Sequence, residues 1–155
     1  MADTQRTLVL LKPDAVQREL IGETVHRFER KGLKIVAMKL TYLDDATLDE
    51  HYSHLADKPF FGDLKKFMMQ TPVVALVFEG IEVINEVRTI VGSTNPREAD
   101  AGTIRADLSM NIPSNMVHAS DSPEAADVEI KRFFSDTELF SYEKLTDIFH
   151  FGEGI

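Results

Sequence analysis

The sequence predicts an α/β (α+β) sandwich, a ferredoxin-like split βαβ arrangement in which a four-stranded antiparallel sheet is covered by helices. Two observations support this prediction. Four short apolar or alternating segments of the kind found in strands are separated by segments whose apolar residues recur at helical spacing. The chain has 155 residues, the size of one ordinary domain, so it is interpreted as a single domain over residues 1–155.

The chain opens with a strand signal followed by a helix signal. Residues 7–11 form an apolar run typical of a central strand buried on both faces. Asp14 follows at a position suited to capping a helix, and that helix is predicted over residues 15–30 because its apolar positions recur at helical spacing. Gly32 then supplies a left-handed stop.

The middle of the chain contains two further strand signals. A second strand is predicted over residues 33–43, where the alternation changes phase near the middle in the way that a β-bulge produces. Helices are predicted over residues 44–55 and 60–70, and residues 73–78 form the β-branched run of a third strand. The next helix is predicted over residues 81–91.

The last third of the chain begins with a long irregular segment. Residues 94–116 show no sustained period, and a loop of that length inside a compact domain is typical of a functional site. Residues 117–119 are predicted to form a short strand, and Ser122 is predicted to cap a helix over residues 123–134. The residues after Phe140 are interpreted as a tail that packs on another surface, such as a neighbouring subunit.

The composition limits the classes of function. With 43% hydrophobic and 28% charged residues, the chain is typical of a soluble globular protein. It has no cysteine, which excludes a disulfide framework and a thiolate metal site and favours a cytoplasmic location. The first apolar run is too short for a signal peptide or a membrane span, so no membrane partner is expected.

The net charge of −9 opposes binding to nucleic acid. Asp and Glu number 26 against 17 Lys and Arg, and a negative field repels the phosphate backbone. Nucleic acid is therefore not expected as the main partner. The same acid excess occurs in proteins adapted to high salt, an alternative that the sequence leaves open.

A carboxylate interrupts the apolar stripe of the last long helix. Glu129 lies within the stripe that runs from Ala126 to Phe133. Because burying a carboxylate without partners is costly, Glu129 is expected to be hydrogen-bonded to His118 or to a turn residue such as Ser120. The alternative is a side chain at the edge of the stripe that reaches solvent.

His118 is a candidate functional residue at the junction between a strand and a helix. It precedes the helix that Ser122 caps, so its imidazole is expected near the positive end of a helix dipole, a place that favours phosphate. A packing or capping role is the alternative. His51 and His54 lie three residues apart, which gives weak grounds for a metal site because no third ligand is in view.

Three cations lie at the ends of elements or in the irregular segment. Lys12 ends the first strand, Arg88 borders the apolar stripe of its helix, and Arg105 lies in the long loop. Together, in an acidic chain, they are expected to form a positive pocket suited to a polyphosphate. Taken singly, each is also explained as an ordinary solvated side chain.

Neutral side chains can complete such a pocket. Thr94 and Asn115 can add hydrogen bonds, and Phe60 can offer an aromatic face to a base. The chain has neither a GxxxxGK[ST] loop nor a GxGxxG motif after a strand. Any nucleotide must therefore be held by side chains.

The segment from Asn115 to Ser122 resembles the Asn-x-x-His-Gly/Ala-Ser-Asp active-site signature of nucleoside diphosphate kinases. The resemblance covers the chain from about Thr7 to Tyr142. Segments that match in the same order include Lys12-Pro13-Asp14, His51-Tyr52, Lys58-Pro59-Phe60-Phe61, Gly92-Ser93-Thr94-Asn95-Pro96 and Gly102-Thr103-Ile104-Arg105.

The resemblance implies transfer of the γ-phosphoryl group from a nucleoside triphosphate, typically ATP, to a nucleoside diphosphate by a ping-pong route through a phosphohistidine on His118. It implies that Tyr52 lies near the transferred group and that Glu129 orients the imidazole, directly or through Ser120. The residues that it assigns to the nucleotide are Lys12, Phe60, Leu64, Arg88, Thr94, Arg105, Ile112 and Asn115. It also implies low base specificity, with Mg²⁺ arriving bound to the nucleotide.

Three positions depart from the family pattern. Ala101 and Ala106 stand where Pro and Gly are common, and Asp63 separates Leu64 from a glycine that usually precedes it directly. A less rigid loop and an altered base clamp are expected from these changes. The resemblance also implies a homo-oligomer, with a hexamer preferred over a tetramer.

Two other classes of function remain open from the sequence. Small αβ sandwiches also serve as regulatory or RNA-binding modules, and a histidine-dependent phosphatase would form a phosphohistidine but release phosphate to water. A binding module has no need for His118, Glu129 and three cations at the family's positions. Acceptance of the phosphoryl group by a nucleotide distinguishes the kinase from the phosphatase.

Overall fold

The computed structural model describes residues 3–152. Its sheet consists of β1 (Thr4–Leu11), β2 (Lys34–Thr41), β3 (Val73–Ile81) and β4 (Val117–Ala119). The spatial order is β2-β3-β1-β4, and all neighbouring strands are antiparallel. The predicted ferredoxin-like sheet is therefore confirmed, with β1 and β3 as its central strands.

Helices connect the strands and cover the sheet. Within residues 3–152 they are α1 (Pro13–Gln17), α2 (Ile21–Lys31), α3 (Asp45–His51), α4 (Phe61–Met68), α5 (Val83–Val91), α6 (Ile104–Leu108), α7 (Pro123–Phe133) and α8 (Asp147–Phe151). Short 3₁₀ turns lie at Ser53–Leu55, Pro96–Glu98 and Asp136–Glu138. No helix in this range is long and apolar enough to cross a membrane.

The central strands separate two buried clusters of side chains. Val9 and Leu11 of β1 pack with residues of α2 and α5, whereas Leu8 and Leu10 pack with residues of α3, α4 and the second half of α7. All four side chains are fully buried. Strand β1 is thus buried on both faces, as its continuous apolar run predicts.

Two helices, α1 and α2, replace the single helix predicted over residues 15–30. Glu19 has a φ of +59°, a left-handed conformation that interrupts the helix between α1 and α2. The predicted cap is also wrong, because Lys12 is the N-cap of α1 and Asp14 lies inside its first turn. The carboxylate of Asp14 instead accepts a hydrogen bond from Met116 N at 2.9 Å.

Two other local signals are confirmed. Gly32 ends α2 with a φ of +103°, and the β2–β3 register shifts between Ile35 and Ala37, where the change of phase predicts a bulge. The helix predicted over residues 44–55 is observed as α3 followed by a 3₁₀ turn.

The segment predicted to be irregular over residues 94–116 contains α6 and a 3₁₀ turn. Thr103 caps α6, since its side chain accepts a hydrogen bond from Ala106 N at 3.2 Å. A helix of little more than one turn is too short to show a repeating apolar pattern. At the next helix the prediction is confirmed, because the Ser122 side chain caps α7.

The segment after Phe140 lies along the edge of the sheet. Phe140 N donates to Val36 O at 2.8 Å, and Lys144 Nζ donates to Gly32 O at 2.7 Å. The predicted tail therefore packs on β2 and on the end of α2 of its own chain. Its last residues, 153–155, lie outside the described part of the chain.

Candidate active site

Strand β4 places His118 where one side of its ring is held and the other can be reached. His118 lies opposite Leu10 in the β1–β4 register, on the sheet face that packs against α3 and α7. Its side chain is 23% exposed. A ligand can therefore approach the imidazole of His118, while the sheet fixes the backbone of this residue.

Helix α7 directs Glu129 at this imidazole. His118 Nε2 donates to Glu129 Oε1 at 2.6 Å, and Ser120 Oγ donates to Oε2 at 3.0 Å. Burial would raise the pKa of Glu129, but the hydrogen bonds from His118 and Ser120 and the nearby imidazoles outweigh it and lower that pKa. Glu129 is therefore hydrogen-bonded to both partners that the sequence suggests, His118 and Ser120.

The contact with Glu129 decides which ring nitrogen of His118 is free to react. An ionised carboxylate only accepts hydrogen bonds, so the hydrogen lies on Nε2. Nδ1 then carries the lone pair. The geometry therefore leaves Nδ1 as the ring nitrogen whose lone pair is free.

His51 of α3 belongs to the site, although its sequence pattern did not single it out for catalysis. Its ring lies 4.4 Å from that of His118, edge to face, and 4.7 Å from that of Tyr52. Its Nδ1 accepts a hydrogen bond from Arg132 Nη1 at 2.9 Å, which places the hydrogen on Nε2. Burial, and then the neighbouring His118, lowers the pKa of His51 to about 3, so the ring is neutral.

The cluster of His51, His118 and Glu129 does not fit a resident metal ion. One donor atom from each residue lies within 4.8 Å of the others. However, Nε2 of His118 is bonded to Glu129, and Nδ1 of His51 is bonded to Arg132. The remaining nitrogen of His51 carries a hydrogen and cannot coordinate a metal in that form.

Lys12 is a buried cation at the end of β1. Its side chain lies within hydrogen-bonding distance of two neutral oxygens, Pro113 O at 3.1 Å and Asn115 Oδ1 at 2.9 Å. Burial lowers its pKa to about 8, with Asp14 acting against this shift and Arg105 adding to it. Among residues 3–152 no carboxylate is bonded to the ammonium, so its positive charge remains available to an anion.

Arg105 of α6 is a second buried cation with neutral partners. Its guanidinium donates to the carbonyl oxygens of Asn115, Gly92 and Val117 at 3.2, 3.0 and 2.6 Å. Burial, and then the charge of Arg88, lowers the pKa of Arg105 to about 10. Arg88 is therefore within electrostatic reach, on the exposed side of α5.

Asn115 connects the groups around Lys12. Its Oδ1 accepts from Lys12 Nζ, and its Nδ2 donates to Thr94 O at 3.0 Å. Its own carbonyl accepts from Arg105. Four residues that the sequence assigned to one pocket, from four separate parts of the chain, are thus joined by direct hydrogen bonds.

The apolar residues assigned to the nucleotide stand apart from this network. Phe60 and Ile112 are 50% and 51% exposed, and Leu64 is partly buried on α4. Helix α4 lies beside the cations, since Lys12 Nζ is 5.6 Å from the centre of the Phe67 ring. Exposed Phe60 directly precedes this helix, and partly buried Leu64 lies on it, so apolar side chains are present next to the charged pocket.

A histidine with a free Nδ1, a carboxylate fixed on its Nε2 and two buried cations bonded to neutral oxygens define a histidine-dependent phosphotransferase. The cations attract a phosphate, and the imidazole supplies the atom that can take a phosphoryl group.

Comparison with known proteins identifies the family. The family model described as nucleoside diphosphate kinase matches residues 5–139. A nucleoside diphosphate kinase of Parabacteroides distasonis is 55% identical over 139 residues, which are 90% of this chain and 91% of that protein. This chain belongs to the nucleoside diphosphate kinase family.

Solved structures agree with this assignment. A halophilic nucleoside diphosphate kinase from Halobacterium salinarum, in complex with CDP, has a TM-score of 0.93 and 40% identity, over 96% of this chain and 99% of its own. A nucleoside diphosphate kinase family protein from Babesia bovis has a TM-score of 0.92 and 41% identity, over 95% and 99%.

The activity predicted from the sequence is therefore confirmed. The chain transfers the γ-phosphoryl group of a nucleoside triphosphate to a nucleoside diphosphate by a ping-pong route through a phosphohistidine. The same comparisons favour the kinase over the alternatives of a non-catalytic binding module and of a phosphatase.

Proposed function

We propose that His118 Nδ1 is the atom that carries the phosphoryl group. The observation that supports this is the 2.6 Å bond from His118 Nε2 to Glu129, which leaves the Nδ1 lone pair free. In the first half-reaction Nδ1 bonds to the γ-phosphorus, and the bond from that phosphorus to the bridging oxygen breaks. The nucleoside diphosphate leaves with that oxygen, and a second diphosphate reverses the step with its own terminal oxygen.

Glu129 supports this chemistry as a positioning residue. When Nδ1 bonds to phosphorus, the ring gains positive charge, and the carboxylate on Nε2 stabilises that charge. Ser120 holds the other carboxylate oxygen at 3.0 Å and fixes its direction. Tyr52 is proposed to lie near the transferred group, because its ring packs on His51 at 4.7 Å and the His51 ring lies 4.4 Å from that of His118.

We propose that the phosphates are held by Lys12, Arg88, Thr94 and Arg105. The sugar is proposed to contact Asn115 and Lys12. The support is the pocket of buried cations with neutral partners, which offers uncancelled positive charge. Phe60, Leu64 and Ile112 are proposed to enclose the base by apolar contact. Apolar contact distinguishes bases poorly, so low base specificity follows.

Mg²⁺ is proposed to enter with the nucleotide. The groups in this pocket are cations, amides and carbonyls, whereas Mg²⁺ prefers carboxylates and water. Glu129, the carboxylate at the imidazole, is already bonded to His118 and Ser120. The protein thus fits a nucleotide that brings its own ion, which supplies charge neutralisation on the phosphate oxygens.

A cytoplasmic homo-oligomer, with a hexamer preferred over a tetramer, completes the proposal. Strand β2 is at the edge of the sheet, and Met38 and Leu40 on this strand and Tyr42 directly after it are 52%, 62% and 69% exposed. An exposed apolar edge strand is an aggregation risk unless a partner covers it. Analytical ultracentrifugation of the wild type and of Leu40→Lys tests this, and a monomeric wild type contradicts it.

Labelling of the protein with γ-phosphate tests the nucleophile. Purified wild type and His118→Gln are mixed with γ-labelled ATP and Mg²⁺, and unlabelled GDP is added afterwards. We expect acid-labile label on the wild type alone, followed by its appearance in GTP. Label on the variant, or label lost only as free phosphate, contradicts the assignment of His118 or of the second half-reaction.

A further inference from the structure

The three residues before His118 form a strained turn. Met116 has a φ of +72°, and Val117 N donates to Asn115 O at 2.8 Å, a bond that spans only one residue. This combination is a γ-turn of the rare form that side chains other than glycine adopt with strain. Because Met116 is fully buried, surrounding contacts must hold the turn.

Asp14 supplies one of those contacts. Its Oδ2 accepts a hydrogen bond from Met116 N at 2.9 Å, and Lys12 N donates to Met116 O at 2.9 Å. Without Asp14, the Met116 N–H would be buried with no partner among these groups. Helix α1 thus reaches across to the turn through the residue that the sequence predicts to be a cap.

The turn controls the direction of two functional groups. Its first residue, Asn115, bonds through its side chain to Lys12 and through its carbonyl to Arg105. His118 lies two residues after Met116, on β4. A change at Met116 therefore moves the contact with Lys12 and the position of the imidazole together.

We propose that Asp14 is a positioning residue that holds the γ-turn at Met116 through its Oδ2 and supports the ammonium of Lys12 through its negative charge. The inference rests on the proposed roles of Lys12, Asn115 and His118. It gives Asp14 a part in phosphoryl transfer without contact with the nucleotide.

The second half of this role follows from the charges around Lys12. Two charged groups act on its ammonium, Asp14 from α1 and Arg105 from α6, while its hydrogen-bond partners are neutral. Asp14 raises the pKa of Lys12, and Arg105 lowers it. The second oxygen of Asp14, Oδ1, is buried and has no hydrogen-bond partner in the described residues, so its charge is not cancelled by a bonded donor. Loss of this charge lowers the pKa of Lys12 below about 8.

Two substitutions separate the hydrogen bond from the charge. Asp14→Asn keeps an acceptor oxygen for Met116 N–H and removes the charge, whereas Asp14→Ala removes both. Asp45→Ala is the matched control, because Asp45 is also an acid in the first turn of a helix but pairs with Lys65 at the surface. Each protein is assayed for melting temperature, for the extent and rate of acid-labile phosphorylation by ATP, and for kcat/KM across the pH range.

For Asp14→Ala we expect kcat/KM at neutral pH to fall by about 10- to 100-fold, the size of effect expected when a buried N–H loses its partner. For Asp14→Asn we expect neutral-pH activity within about threefold of the wild type and an alkaline limb displaced by about one pH unit toward neutrality. A residue with only a structural role would not move that limb. If Asp14→Ala does not fold, the alkaline limb of Asp14→Asn still tests the role of the charge.

Several outcomes would overturn this inference. They are wild-type kinetics in Asp14→Ala, an Asp14→Asn enzyme as impaired as Asp14→Ala at neutral pH, or an alkaline limb that stays in place in Asp14→Asn. A wild type that never forms the phosphohistidine on His118 is a separate result, and it contradicts the proposed function instead.

Discussion

Charged side chains are paired at one end of the sheet and left without an opposite charge as hydrogen-bond partner at the other. At the end far from His118, Glu79 of β3 accepts hydrogen bonds from Arg6 at 2.8 Å and Lys34 at 2.5 Å. At the His118 end, Lys12 and Arg105 are buried and bonded to neutral oxygens. The first arrangement cancels charge within the fold, and the second leaves charge for a ligand.

The pKa shifts follow this difference. Burial would raise the pKa of Glu79, but the bonds from Lys34 and Arg6 outweigh it and lower that pKa. For Lys12 and Arg105, burial is the main cause and lowers the pKa values to about 8 and about 10. A buried cation without a bonded carboxylate attracts an anion that enters its pocket.

The largest effect is expected from a substitution at the His118 end. Glu129→Gln keeps the size of the side chain and removes the charge that we propose stabilises the phosphorylated ring. We expect kcat to fall by about 10- to 100-fold, the range seen for residues that orient a reacting imidazole or ligand. Rapid-quench measurement of phosphohistidine formation checks this, and wild-type rates would show that the contact is only structural.

Raising the pH is expected to change activity and stability in opposite directions, because both depend on the protonation of Lys12. Below about pH 8 the folded protein keeps the Lys12 proton, and above it the ammonium is lost, so kcat/KM should fall on the alkaline side. In the unfolded chain the lysine titrates near 10.5, so between these values the unfolded state binds more protons. The Lys12 contribution to the free energy of unfolding therefore rises with pH while activity falls.

Urea denaturation and kcat/KM, measured over the same pH range, check this opposition. Lys12→Met is the control, since it should remove the Lys12 part of the stability slope. If stability and activity fall together in the wild type while the slope is the same in Lys12→Met, the lowered pKa of Lys12 is contradicted.

A smaller effect is expected from the residue behind His51. Arg132→Met keeps the apolar stem and removes the donor to His51 Nδ1, so the hydrogen on the His51 ring is no longer confined to Nε2. We expect kcat to fall by about threefold to tenfold, with a smaller change in KM, because the ring beside His118 loses its orientation. A change confined to KM would indicate a role in binding instead.

The smallest effect is expected at the opposite end of the sheet. Glu79→Gln breaks a partly exposed ion-pair group, and we expect a loss of about 1 kcal/mol or less in the free energy of unfolding. Activity should not change. A decrease in kcat comparable with that of Glu129→Gln would remove the contrast between the two ends.

The fold was predictable where one apolar pattern extended over several residues. The continuous run of β1, the bulge in β2 and the stop at Gly32 were all visible, since each depends on local geometry. Helix α6 was not, because five residues hold no repeat. The break at Glu19 was also missed, since a left-handed glutamate has no sequence signal.

The site was predictable to the extent that residue types reveal burial. Glu129 on an apolar stripe required a partner, and the structure supplies both His118 and Ser120. Asp14 was interpreted as a cap because capping is local, whereas its partner Met116 is 102 residues away. His51 carried no anomaly in sequence, because its contact with Arg132 depends on how α3 packs on α7.

Because β4 is short, some of the hydrogen-bond donors of Arg105 are needed to hold it in place. A three-residue edge strand has few ladder bonds, and Arg105 adds a bond to the carbonyl of Val117 in this strand, with further bonds to the carbonyls of Asn115 and Gly92. A guanidinium has five N–H groups, so three of them are occupied by these bonds and two remain free of them. A lysine has three N–H donors on one atom, so three such bonds would leave none free, whereas the arginine keeps two.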